Sequence, residues 1–245
     1  MRTEFGQRKG LREKFEDFIA TFDGCENIDV LLKGAPHEGL KRADYLFAGR
    51  SIIVEQKTLE FDPVDKPQQF IEKLRKERRV IVYGTVSTDF IFSKMSDGEL
   101  QKGRMFDFLT RQLDTDVAAA DKQTRDTRTI FNIPDAVGVL VILNENAKTL
   151  TPDVMRYGIQ RPYTKRQVDG SWRYPHNIGV IVISEVHSLT DERGATLLPI
   201  MHFSRTGPES ENIFTPFYHW LAELWARYNG VPLIQSTHEE LFKAR

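Results

Sequence analysis

The residues best suited to chemistry are two acids and an amine: Asp44, Glu55 and Lys57. Between the acids lie two apolar runs, Tyr45-Leu46-Phe47-Ala48 and Ser51-Ile52-Ile53-Val54, split by Gly49-Arg50. That pattern predicts a β-hairpin, and glycine in the first loop position suits a type II′ turn. In this register Leu46 opposes Ile53 and Asp44 opposes Glu55. Directly opposed side chains hold their Cβ atoms roughly 4.5–5.5 Å apart. Lys57 shares the face of Glu55, and Gln56 points to the other.

Two carboxylates that close repel by about 3 kcal/mol at an effective dielectric near ~20. Lys57 offsets part of this, and a divalent cation would offset more. Oxygen ligands with open positions suit Mg²⁺ or Mn²⁺. Such an ion polarises a phosphoryl oxygen and acidifies bound water. A neighbouring lysine can orient or deprotonate that water and neutralise developing charge. The plainer alternative is a salt-bridge ladder at a strand end.

The surrounding pattern supplies elements to hold the three residues. Leu11, Phe15, Phe18, Ile19 and Phe22 form one helical stripe, and Gly24 follows it. Ile28–Leu32 reads as a short strand. Ile52-Ile53-Val54 reads as a strand covered on both faces. Residues 63–79 read as a polar helix, and Val80–Val86 as a strand. Ser96-Asp97-Gly98-Glu99 is a capping box opening a long helix with Phe106, Leu109, Leu113 and Val117 inward. Asp121–Thr129 reads as a polar connection before a buried strand, Ala136–Leu143.

Beyond residue 145, Thr151-Pro152 opens a short helix. Gly179–Val186 and Leu197–Phe203 read as strands joined through Asp191–Gly194. Thr215-Pro216 opens a helix that Gly230 ends, and Thr237–Glu240 is a last capping box. Strands alternating with helices make an α/β protein. Residues 1–145 form one core, and 146–245 extend it or add a second small α/β region.

Asp44, the apolar strand and Glu55-Gln56-Lys57 resemble the PD-(D/E)XK nuclease superfamily, the restriction-endonuclease-like fold. The resemblance covers roughly residues 10–145. It implies a helix, a three-stranded meander, a helix and a further strand, giving a mixed sheet flanked by helices. It further implies that Asp44 and Glu55 bind Mg²⁺ or Mn²⁺, that the Gln56 carbonyl is an extra ligand, and that Lys57 assists the attacking water. A first-helix glutamate often joins the set, and Glu16 is the best match. The residue before Asp44 is Ala43 rather than proline, and no Gln-x-x-x-Tyr helix follows.

Composition constrains the partners. The chain has 245 residues, 40% hydrophobic and 28% charged, which excludes wholesale disorder. Lys plus Arg is 34 against 35 Asp plus Glu, so nucleic acid must be held by a local patch. The densest basic run is Lys73, Arg75, Lys76, Arg78 and Arg79. It reads either as a phosphate-tracking face or as a solvated helix end. Arg161, Lys165, Arg166 and Arg173 alternate with Tyr157, Tyr163, Trp172 and Tyr174, a mixture that can stack bases. Lys122, Arg125 and Arg128 are a further basic group. Cys25, the sole cysteine, excludes a disulfide framework and a thiolate metal cage.

No apolar run approaches the ~20 residues that span a bilayer, and no secretory leader is visible. A cytoplasmic setting is expected, and a homo-oligomer is compatible with the chain. The leading expectation is a Mg²⁺-dependent nuclease, with DNA favoured over RNA. Its rivals are a catalytically inactive protein of the same fold, serving binding or structure, and an unrelated α/β binding domain in which Asp44 and Glu55 are not neighbours.

Overall fold

The computed structural model describes residues 9–37, 40–78, 87–190 and 196–234. In chain order come α1 (Leu11–Ile19), β1 (Glu26–Asn27), α2 (Ile28–Leu31), β2 (Tyr45–Phe47), β3 (Ile52–Leu59), α3 (Lys66–Arg78), α4 (Thr88–Ser93), α5 (Gly98–Leu109) and α6 (Arg111–Phe131). There follow β4 (Val137–Asn144), α7 (Pro152–Thr164), β5 (Asn177–Ser184), β6 (Leu189–Thr190), β7 (Thr196–Leu197), β8 (Ile200–Ser204) and α8 (Thr215–Tyr228). The expected strand over 80–86, the connection 191–194, Arg79 and the capping box at Thr237 lie outside the described residues.

A mixed six-stranded sheet in the order β1-β2-β3-β4-β5-β8 organises the molecule. β1, β2 and β3 run antiparallel as a meander, β4 and β5 continue parallel to β3, and β8 closes the edge antiparallel. The sheet therefore continues past residue 145. Every residue of β4 and β5 is buried, as expected of parallel strands covered on both faces. Alternation along the strands sorts two cores. Val54, Val139, Val141 and Ile181 face α1 and α8. Leu140, Ile142, Val180 and Val182 face α3, α5, α6 and α7. No described helix is long and apolar enough to cross a membrane.

Local chemistry explains where the elements begin and end. α1 buries Leu11, Phe15, Phe18 and Ile19 as the stripe requires. It stops at Ile19 because the Thr21 hydroxyl and N–H both donate to the Phe18 carbonyl. Residues 28–31 are a helical turn rather than the expected strand. Asn27 forces the change, since its side-chain oxygen accepts the Val30 N–H at 3.1 Å. Asp121–Thr129 is likewise no connection but the second half of a 21-residue helix. The stripe Leu113, Val117, Ala120, Thr124, Thr127 keeps helical spacing throughout, and all five are buried. Its last members are small and polar, which hides the period from a reading based on apolar residues.

The hairpin keeps the expected register: Tyr45 pairs with Val54, Leu46 with Ile53 and Phe47 with Ile52. Its turn differs. Gly49 and Arg50 both have positive φ, 61° and 70°, the mark of type I′ rather than II′.

The helix expected from the capping box is interrupted at Thr110, which separates α5 from α6. Beside that break α7 approaches closely. A Cβ on Gly158 would stand 2.5 Å from the Thr110 Cβ and 2.6 Å from its Cγ2. At Gly103 the nearest atom to such a Cβ is the Tyr157 hydroxyl, at 3.6 Å. Alanine at either position gains up to ~1 kcal/mol of helix propensity. Only at Gly158 does a clash of about 1–3 kcal/mol outweigh it. Gly158→Ala is therefore expected to lower the thermal midpoint, and Gly103→Ala to leave it unchanged or raise it. Calorimetry on the two variants checks the opposite signs.

Candidate active site

The hairpin delivers Asp44, Glu55 and Lys57 to one place. β2 begins at Tyr45, so Asp44 sits where pairing with β3 gives way. Its N–H still donates to the Val54 carbonyl at 3.1 Å. Its carboxylate then replaces the next strand partner, accepting the Gln56 N–H at 2.6 Å. Glu55 lies on the Leu140 and Ile142 face, beneath α6, and is 1% exposed. Lys57 stands beside it with its ammonium ion-paired to the Glu55 carboxylate.

α6 closes the site from above. Gln123 Oε1 accepts from Lys57 Nζ at 3.3 Å, while Gln123 Nε2 donates to the Arg42 carbonyl at 2.7 Å. One turn further on, Thr127 Oγ1 accepts the Ala43 N–H at 2.9 Å. The helix thus pins the chain just before Asp44. Asp116, a further buried acid of α6, lies within electrostatic reach of Lys57 and accepts from Gln112 at 2.9 Å. Gln123 was missed in the sequence because residues 121–129 read as a connection, while Asp116 fell within the expected helix, beside its apolar stripe. The stripe continued through Thr124 and Thr127 is the signal that could have placed Gln123 over β3.

The electrostatics are those of a buried carboxylate pair that one ammonium, Lys57, only partly offsets. Burial pushes the Glu55 carboxyl up to about 8, and the neighbouring Asp44 charge adds to the rise. Burial also raises Asp44, opposed by the Gln56 N–H and by Lys57. Glu55 Oε2 is buried with no hydrogen-bond donor. A proton or a cation shared with Asp44 would satisfy it. The donor set fits a magnesium-like ion, which takes one or two carboxylates and keeps other positions for water or phosphate. The N–H and C=O of one strand residue point to the same neighbour, so the Gln56 carbonyl is directed to the Asp44 side.

Other expected residues are placed differently. Glu16 stays on α1, on the opposite face of the sheet, where it pairs with Arg12 at 2.8 Å. It makes no hydrogen bond to Asp44, Glu55 or Lys57. Among the described residues, no group of three or more His, Cys, Asp or Glu side chains is arranged to hold a metal ion. In α3, Arg75 and Lys76 are exposed, Arg78 is held by Asp97 at 2.8 Å, and Lys73 turns toward α5.

The aromatic faces of the 156–174 stretch are occupied from within. Arg166 stacks 3.4 Å over Trp172, and Arg173 lies 5.3 Å over Tyr174. Arg128 donates to His176 at 3.0 Å. Burial pushes the Cys25 thiol up to about 12, which keeps it protonated and unreactive.

Searches of protein-family models, curated proteins and solved structures find no match to this chain.

The Glu55 environment sets a pH dependence with a definite sign. Its folded pKa is raised above the unfolded value of 4.5 to about 8. The native state then binds the extra proton between those values, and stability falls as pH rises through that window. Chemical denaturation in metal-free buffer at pH 5 and pH 8 is expected to show a loss of a few kcal/mol, at about 1.4 kcal/mol per pKa unit. Glu55→Gln is expected to remove that loss, leaving the variant more stable than the parent at pH 8.

Proposed function

We propose that this protein is a metal-dependent nuclease of restriction-endonuclease-like fold, hydrolysing phosphodiester bonds of nucleic acid, with DNA the favoured polymer. The observation that carries the reading is the buried, donorless Glu55 Oε2 beside Asp44, with Lys57 on the same face. The element order supports it as well. A helix, an antiparallel meander, helices and a strand parallel to the third follow one another as in the PD-(D/E)XK core. Membership of that superfamily is part of the proposal, and it rests on arrangement and site chemistry.

Asp44, Glu55 and the Gln56 carbonyl would hold Mg²⁺ or Mn²⁺. When bound, the ion supplies Lewis-acid charge to the phosphate under attack. The protein's own groups do the rest. Asp44 is fixed by the Gln56 N–H, with its carboxylate beside that of Glu55. Lys57 spans Glu55 and Gln123. Once Glu55 is engaged elsewhere, its ammonium is free to orient the attacking water or to neutralise charge on the phosphate. Gln123, tied to the Arg42 carbonyl, limits where that amine can swing.

A second reading is favoured by the absence of a three-acid cluster among the described residues: a binding or structural protein built on the same fold. One pair of measurements separates the two. Mn²⁺ titration is expected to show a site lost in Asp44→Asn and Glu55→Gln. Incubation with linear, circular and single-stranded DNA in Mg²⁺ is expected to show cleavage reduced at least about a hundredfold in Lys57→Ala and in both acid variants. Cleavage equal in parent and variants ends the catalytic assignment, and a parent with neither Mn²⁺ binding nor cleavage is the scaffold.

A further inference from the structure

A cavity of about 750 Å³ opens between α3 and α5, with Arg111 of α6 and Arg161 of α7 at its margin. It lies on the same face of the sheet as Glu55 and Lys57. Its charge runs against that of the whole protein. Lys73, Arg104, Arg111 and Arg161 line it against Glu77 and Asp107, a surplus of two positive charges in a chain whose net charge is -1.

The surplus is also unspent. Asp107 is already engaged by Arg161 and by the Tyr157 hydroxyl at 2.9 Å. Glu77 reaches only Lys73, at 3.9 Å. Among the described residues no acid engages Arg104 or Arg111, and both side chains are exposed. Two unpaired guanidinium groups facing one concavity make a site for phosphate oxygens, which they can grip bidentately. Beside them, Phe70 and Phe108 supply apolar rings, and Phe108 is 37% exposed. Lys66 lies 5.4 Å over the Phe108 ring, so a nucleotide strand would be gripped through its phosphates by the paired cations rather than stacked on an open ring.

The position suits a strand already engaged at the candidate active site. Arg111 stands twelve residues before Gln123 on α6, and Gln123 touches Lys57. At 1.5 Å per residue that is roughly 18 Å. A stacked strand advances about 3.4 Å per nucleotide, so the span is about five steps.

We propose that this cavity is a DNA-strand subsite, in which Arg104 and Arg111, with Lys73, clamp the phosphates of nucleotides about five steps from the bond cut at Lys57. The subsite rests on the nuclease reading for its choice of polymer, but its binding is independent of catalysis. It differs from a basic track along α3, because Arg75 and Lys76 lie outside the cavity and Arg78 is held by Asp97.

The test is fluorescence anisotropy with a labelled 20-nucleotide DNA in EDTA, at several salt concentrations. For a single strand each phosphate contact contributes roughly 0.7 to the slope of log affinity against log salt. Arg104→Gln/Arg111→Gln is expected to reduce that slope by about one and a half and to weaken binding roughly tenfold or more. Lys33→Gln/Arg227→Gln, also two exposed cations but outside the cavity, is expected to change neither. An unchanged slope, or an equal loss in the control pair, overturns the proposal. A slope that falls as expected in a parent that never cleaves DNA keeps the subsite and removes the nuclease. Cleavage by the parent with no slope change in the arginine variant does the reverse.

Discussion

The local structure turns on one carboxyl group kept out of water beside another. Glu55 sits on the third strand of a sheet whose neighbours at that level are Leu140 and Ile142, with a helix laid over it. Nothing in an apolar layer favours a charge there. The ion pair with Lys57 answers one oxygen and leaves the other without a donor. A fold keeps such a group only when surrounding packing over-determines it, and here the central parallel strands supply that packing. The cost of the arrangement is carried by a core that extends well beyond the site.

α6 is the element that makes the site more than a hairpin. Successive turns of this helix hold the Ala43 N–H, the Arg42 carbonyl and the Lys57 ammonium. It aligns the approach to Asp44 with the strand bearing Glu55. Its first turn presents Arg111 to a separate concavity. One rigid rod therefore relates two chemically different places on the same face of the sheet.

How much of this was legible in the sequence depended on whether the signal was apolar. The hairpin register was, because a two-residue turn at Gly49-Arg50 between apolar runs fixes the pairing of Leu46 with Ile53, and Asp44 follows from it. The buried strands at 137–144 and 177–184 were legible from their apolar runs. The Asn27 cap reversed the expected strand at 28–31, since a single hydrogen bond outweighed a short β-like run. The polar half of α6 hid because threonine and glutamine fill the inward positions there. Glu16 was placed by analogy with a helix that in fact lies across the sheet, and its partner Arg12 is one turn away on the same helix. Arg104 and Arg111 gave no sign of meeting, since their neighbourhood is created by the packing of four helices.

The interruption at Thr110 gives that neighbourhood a particular character. α7 crosses so close that only the bare backbone of Gly158 fits against the threonine side chain. The joint between α5 and α6 is thereby wedged, and the helices bearing Arg104 and Arg111 keep a set angle. Any guest held between them would find the backbone set in advance, with only the exposed arginine side chains left to order. A ligand of the right charge but the wrong spacing would then gain little from such a site.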